Sequence, residues 1–268
     1  MAGTTEVSRL TVAVGLALAA LITGCSTGDE TTTPSGSLTA STGPDAAAPV
    51  PAGSAAPVAG PYAPVIDPAA FTSIVDNPFL PLRPGMRWEY RTESENGIEV
   101  TVVEVTTSTR VIMGVRCVEV RDTVRLDGDV IEDTLDWYAQ HHDGTVWYFG
   151  EDTREYEGGQ VVSTEGSWMG GVDGALPGIV MPGRPRIGDR YRQEYYVGHA
   201  EDMAEVLSMA EQATVPTGSY DAVIETSETT PLEPQLLEHK YYARGVGAAL
   251  MVDVAGGGTR DELVSFTG

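Results

Sequence analysis

The run Val118-Glu119-Val120-Arg121-Asp122-Thr123-Val124-Arg125-Leu126-Asp127-Gly128-Asp129-Val130-Ile131-Glu132-Asp133-Thr134-Leu135-Asp136-Trp137-Tyr138 decides the fold. Two stretches rich in β-branched and aromatic residues flank Asp127-Gly128. Such residues fit a pleated surface, and Asp-Gly tolerates the positive φ that a two-residue hairpin turn demands. The same grammar recurs on both sides. Asn96-Gly97 separates Met86–Arg91 from Ile98–Val105, Asp143-Gly144 separates Leu135–Gln140 from Thr145–Phe149, and Gly158-Gly159 separates Arg154–Glu157 from Gln160–Thr164. Hairpin after hairpin predicts an antiparallel meander and not βαβ units.

Working outward, Asn77-Pro78-Phe79-Leu80-Pro81-Leu82-Arg83-Pro84-Gly85 carries three prolines, which forbid a helix and predict an extended arm ending in a turn. Trp88 and Tyr90 then share one face of a strand. Residues 166–188 are broken by Gly and Pro and read as a long loop across a sheet, with Ile179-Val180-Met181 as a short strand. Ala200–Gln212 fits helical or strand spacing and is read as a strand because its neighbours are strands. Arg190–Val197, Tyr220–Thr226, Glu238–Tyr242, Ala248–Val254 and Asp261–Phe266 complete the series. The expected class is mainly β: one domain over residues 63–268, built as a single curved antiparallel sheet, half-barrel or barrel of about eight to eleven strands.

The N-terminal portion has another character. Leu10 to Ile22 is a mostly apolar run of thirteen residues behind Arg9, the length of a signal h-region and short of the roughly twenty needed to span a membrane. It ends in Leu21-Ile22-Thr23-Gly24-Cys25, which resembles a bacterial lipobox. The resemblance implies a lipoprotein signal peptide over residues 1–24 and acylation of Cys25. Residues 25–62 then form a tether. Of the 37 residues from Ser26 to Tyr62, all but Asp29, Glu30, Leu38, Asp45, Val50, Val58 and Tyr62 are Gly, Pro, Ser, Thr or Ala, a composition without enough apolar surface to offset ordering entropy. As a coil it reaches about 30–35 Å.

Formal net charge is -23, from 39 acids and 16 Lys or Arg. Removing Glu6, Asp29, Glu30, Asp45 and Arg9 leaves 35 acids and 15 bases from residue 63 onward, a charge of -20. Such a surface repels nucleic acid and anionic headgroups, so no nucleic-acid partner is expected. Of the two cysteines, Cys117 lies in a strand-like run and reads as a small buried hydrophobe once Cys25 is acylated.

The sequence carries no Gly-x-Ser-x-Gly, His-Glu-x-x-His, Cys-x-x-Cys or P-loop, and no cofactor is expected. His199 with Glu201 and Asp202 is the best candidate metal cluster, since an imidazole and two carboxylates could meet at one loop. In Val130–Tyr138 the face formed by Ile131, Asp133, Leu135 and Trp137 is apolar except for Asp133. That carboxylate is expected to pair with Arg121 or Arg125, or else to mark the mouth of a ligand pocket. Trp88, Trp137 and Trp147 are candidate stacking platforms for a sugar or a small apolar ligand. Asp133 with Glu151 or Glu155 is the pair a carboxylate hydrolase would use.

The opening Asn77-Pro78-Phe79-Leu80-Pro81-Leu82 with Gly85, Trp88 and Tyr90 resembles a group of uncharacterised, mostly actinobacterial lipoproteins. So do Asp136-Trp137-Tyr138-Ala139-Gln140 with Val146-Trp147-Tyr148-Phe149-Gly150-Glu151, and Tyr241-Tyr242-Ala243 with Gly245-Val246-Gly247. The resemblance implies fold and address but no chemistry. The expected function is a cell-membrane lipoprotein facing the extracytoplasmic side: a non-enzymatic binding or structural module partnered by the membrane through Cys25, and by a small ligand, sugar or envelope protein. The alternatives are a carrier of lipid or apolar ligand on a concave sheet face, and the envelope hydrolase.

Overall fold

A computed structural model describes residues 61–94, 96–256 and 258–268. The signal peptide, Cys25 and the tether up to residue 60 lie outside the described residues. Among the described residues a single 3-10 turn, Pro68–Ala70, precedes eighteen strands. The arm contains β1 (Phe71–Thr72), β2 (Val75–Asn77) and β3 (Leu80–Leu82). The meander follows as β4 (Arg87–Ser94), β5 (Gly97–Ile112), β6 (Val115–Leu126), β7 (Asp129–His141) and β8 (Val146–Glu157). Short pieces come next: β9 (Gln160–Ser163), β10 (Trp168–Met169), β11 (Leu176–Met181), β12 (Arg190–Arg192) and β13 (Glu194–Tyr195). The chain ends in β14 (Met203–Val215), β15 (Gly218–Thr229), β16 (Leu237–Ala243), β17 (Gly247–Ala255) and β18 (Arg260–Thr267).

The expected class is what the chain forms. The large sheet runs β12-β14-β15-β16-β17-β18-β4-β5-β6-β7-β8-β11-β13, antiparallel and nearly closed into a barrel, while β2 and β3 form a small sheet of their own. The path holds more strands than expected because residues 166–188, read mainly as loop, contribute β11, and because Arg190–Val197, read as one strand, is divided at Gln193 into β12 and β13; β10 pairs with β8 off the path. Ala200–Gln212 is largely strand, as its neighbours required.

The two ends of the path, β12 and β13, are consecutive in the chain with only Gln193 between them. One bent segment therefore pairs with β14 by its first half and with β11 by its second. Gly178 makes this crossing feasible: a methyl group there would overlap the carbonyl of Gln193 and crowd that of Arg192. Tyr62, assigned to the tether by composition, belongs to the domain. It is buried beside the crossing, donates from its hydroxyl to the Pro177 carbonyl at 2.7 Å, and packs its ring 5.2 Å from that of Tyr195.

In a meander the turns alternate between the two ends of the barrel, and the arm closes one of them. Asn77 donates to the carbonyls of Gly144 and Pro182 and accepts from the amides of Phe79 and Leu80. Gln140 Oε1 accepts the amides of Asp76 and Asn77, both at 2.9 Å. Gly245 donates to the Pro78 carbonyl at 2.7 Å, and the Arg244 guanidinium lies over the Phe79 ring. Leu80 and Leu82 are thereby driven into the barrel mouth beside Trp88 and Tyr90. Cys117 is buried and free, as expected of a small hydrophobe.

Gly178→Ala should destabilise the domain by about 2 kcal/mol or more, because the added methyl meets backbone that cannot rotate away. Urea unfolding at fixed pH measures this; a change within experimental error would show that the crossing does not depend on that close approach.

Candidate functional site

Cross-strand register shows which side chains face the barrel interior. On β7 these are Glu132, Thr134, Asp136 and Tyr138, all 2 % exposed or less. This reverses the sequence reading of β7. The face that looked apolar, with Ile131, Asp133 and Leu135, is the less buried outer one, and the polar face points inward. Neighbouring strands present Tyr90 and Thr92 (β4), Asp122 (β6), Tyr148, Glu151 and Thr153 (β8), Thr226 and Glu228 (β15), Glu238, Lys240 and Tyr242 (β16) and Asp261 (β18), every one buried.

The interior is a hydrogen-bonded polar core. Tyr148 donates to Asp136 at 2.6 Å, Trp168 to Glu194 at 2.9 Å, Thr134 to Glu132 at 3.1 Å, and Thr92 to Asp261. Lys240, the chain's one lysine, is 3 % exposed and lies 2.8 Å from Glu228 and 3.2 Å from Glu238. Thr226 and Tyr242 also donate to Glu228. Burial alone would strip Lys240 of its proton, but Glu228 and Glu238 hold its pKa above the ordinary value. One cation cannot balance this many carboxyls. Burial first, then neighbouring carboxylates, push Asp122, Glu151 and Glu194 well above the usual carboxylate range. Burial likewise brings Glu99, Glu132, Asp136 and Glu238 to about 7 and Asp261 to about 8. These groups hold protons that they would lose in water.

Between the arm and this polar core lies a cavity of about 40 Å³, bounded by Leu80, Leu82, Trp88, Tyr90, Asp122, Asp136 and Lys240 among others. Asp122 Oδ1 has no hydrogen-bond partner there. Outside the barrel, a groove of about 850 Å³ runs between the Asp127-Gly128 and Gly158-Gly159 turns. It is floored by Arg121, Thr123, Arg125, Asp133 and Tyr156. The rest of the outer face is laced with exposed ion pairs such as Arg91–Glu93 and Arg260–Glu262, a face suited to water.

The residues singled out from sequence do not converge. Trp88 is inside and donates to the Val246 carbonyl at 2.7 Å. Asp133 is outside in a bidentate pair with Arg121, at 2.7 and 2.8 Å, and it also accepts from Thr123; this is one of the partners expected for it. Trp137, on the same outer face, donates to Glu119 under the Arg110 guanidinium. Trp147 packs edge-on against Phe71 of the arm. The register pairs Asp133 with neither Glu151 nor Glu155: Glu151 stands opposite Asp136 and Glu155 opposite Glu132, while Asp133 stands opposite Arg154 on the outer face. His199 stacks on Tyr196, Glu201 accepts from the Gly198 amide and Asp202 is buried. Among the described residues no group of three His, Cys, Asp or Glu is placed to hold a metal ion. The interior acids escaped sequence reading because their alternation with Thr and Tyr looks like a solvent face. The available signal was Lys240, a lone lysine midway along a strand that also carries Glu238 and Tyr242.

Neither a family profile nor a curated protein sequence matches this chain. Two solved structures are similar to it. A Bacteroides fragilis protein classed as exported, with a YmcC-like fold, is 12 % identical, with 71 % of this chain and 99 % of that one covered and a TM-score of 0.42. A Parabacteroides distasonis protein classed as a lipoprotein is 10 % identical, with 70 % and 98 % covered and a TM-score of 0.38.

Two outcomes are expected from the interior. Carboxyls whose folded pKa is raised to about 7 or 8 bind more protons in the native than in the unfolded state between pH 4 and 8, so stability falls as pH rises. The fall should be about 1.4 kcal/mol per pH unit for each such carboxyl. The Lys240 contribution is fully present below its unfolded pKa and stays constant over that window. Thermal unfolding should therefore give a higher midpoint at pH 5 than at pH 8, and the reverse order would contradict a protonated interior. Lys240→Met should cost about 3–5 kcal/mol at pH 7 by leaving two buried carboxyls without their cation. Adding Glu238→Gln should recover part of that loss in the same denaturation assay.

Proposed function

We propose that this chain is a lipid-anchored extracytoplasmic protein whose β domain works as a non-catalytic binding or structural module. The anchor is read from Leu21-Ile22-Thr23-Gly24-Cys25, the apolar run before it and the Gly, Pro, Ser, Thr and Ala-rich stretch after it. Two acyl chains, at ~0.8 kcal/mol per buried methylene, are enough for stable attachment.

One observation carries the choice of module over carrier and hydrolase: the barrel interior is filled by its own side chains around a cavity of about 40 Å³. Pockets for small organic ligands commonly run to about 300–1,000 Å³, so a lipid has no room inside the domain as it stands. The two interior carboxyls that share this cavity, Asp122 and Asp136, face a space too small for a substrate bond with its flanking groups. The outer groove beside Arg121 and Asp133 is of ligand size and lies at the end of the barrel opposite the arm, so a partner reaches it without passing the arm.

Fractionation after Cys25→Ala substitution tests the anchor. The variant should lose its membrane association or remain unprocessed; a variant that is fully processed and still membrane-bound would overturn the reading.

A further inference from the structure

We infer that the mouth of the barrel is a site for an organic cation with a short apolar stem, and that Leu80 and Leu82 of the arm occupy the stem's place. This rests on the domain being a binding module and is independent of the lipid anchor. The cavity has walls of two chemical kinds. Its lining is apolar at Leu80, Leu82, Trp88 and Met251 and polar at Asp122, Asp136 and Lys240. Asp136 accepts from Tyr148. Asp122 is 2 % exposed, and its Oδ1 has no partner. Lys240, the buried cation that lines this cavity, is committed to Glu228 and Glu238. An unpartnered buried carboxyl in an apolar well matches an ammonium or guanidinium on a hydrocarbon stem.

The arm is the part that can give way. Its strands β2 and β3 pair with each other and add no strand to the barrel. Withdrawing the two leucines would leave the ring of strands intact and enlarge the well by two side chains.

The groups that face Asp122 define how occupancy responds to pH. They are Glu99 from β5, Glu132 and Asp136 from β7, Tyr90 from β4, Tyr138 from β7 and Lys240 from β16, with Asp133 acting through the sheet. Crowded by carboxyls, Asp122 keeps its proton while the well is empty. A bound cation favours the carboxylate, so the proton leaves as the cation enters, and affinity rises with pH.

The test uses the full chain carrying Cys25→Ala, with and without Leu82→Ala, titrated calorimetrically with n-butylammonium and with n-butanol as the uncharged isostere. Leu82→Ala should bind the ammonium at least about tenfold more tightly than the alcohol, more tightly at pH 8 than at pH 6, and Asp122→Asn in the same background should erase the difference. Leu80→Ala supplies the second enlarged well should Leu82→Ala fail to unfold cooperatively. The unenlarged chain should show a higher unfolding midpoint in butylammonium chloride than in sodium chloride of equal strength. Equal affinity for ammonium and alcohol, a preference that survives Asp122→Asn, or equal midpoints in the two salts would each overturn the inference. None of these results bears on where the Cys25 variant fractionates, so a failure here is distinct from a failure of the anchor.

Discussion

The barrel stands on one close approach, that of the Gln193 backbone to Gly178. A sheet this long must either end in two open edges or bring its ends together, and open edges expose unpaired backbone groups. Here a single bent segment serves both ends. Its first half completes β14 and its second half completes β11, with Tyr62 packed at the junction. The geometry leaves no room for a side chain at position 178. The enclosure of the interior, and with it the elevated carboxyl pKa values, follows from that contact.

Closure by so many strands creates a filling problem. Barrels of about eight strands leave an interior just wide enough for ordinary side chains, and wider ones tend toward a lumen. This chain fills the space with large residues that have polar ends: Tyr90, Tyr138, Tyr148, Tyr191, Tyr242, Trp88 and Trp168 are all buried. Buried hydroxyls and indole N–H groups need acceptors: Asp136, Glu194 and Glu228 supply them to Tyr148, Trp168 and Tyr242, and the Val246 and Ala248 carbonyls to Trp88 and Tyr90. The acids are thus partners of the aromatics, and the protons they retain are what lets them remain inside with one lysine for company. The arm completes the seal at the mouth with Leu80 and Leu82, held in place by the hydrogen bonds of Asn77 to the Gly144 and Pro182 carbonyls.

Much of the architecture was legible because hairpin turns are written locally. Asn96-Gly97, Asp127-Gly128, Asp143-Gly144 and Gly158-Gly159 each separate paired strands, and the proline-rich arm is an arm. The short β10 was not legible, and β11 was legible only at Ile179-Val180-Met181; Arg190–Val197 reads as a single strand, and no local pattern encodes its division at Gln193 into β12 and β13 with different partners. The site was misread for a related reason. Alternation shows that a strand has two faces, but the assignment of inside and outside rests on the assumption that the interior is apolar. In β7 the interior takes Glu132, Thr134 and Asp136, and the outer face takes Ile131, Leu135 and Trp137. Of the two partners expected for Asp133, Arg121 is the one that pairs: it stands opposite Leu135 and reaches diagonally to Asp133, which itself stands opposite Thr123.

The register of β4 against β18 has a further consequence, for timing. Trp88 pairs with Phe266 and Arg87 with Thr267, so nearly the first residues of the barrel lie against nearly the last. The arm's partners are also late: Gln140, Gly144, Pro182 and Gly245. A chain delivered from its N-terminus can zip the β4–β8 meander as it emerges, yet it cannot seal the ring or seat the arm until the final strand has arrived. Contacts of such long sequence separation slow folding and prolong the exposure of open strand edges. During that interval the interior carboxyls face water and ionise, and their mutual repulsion holds the half-made sheet open. The last step of folding is therefore also a step of proton uptake.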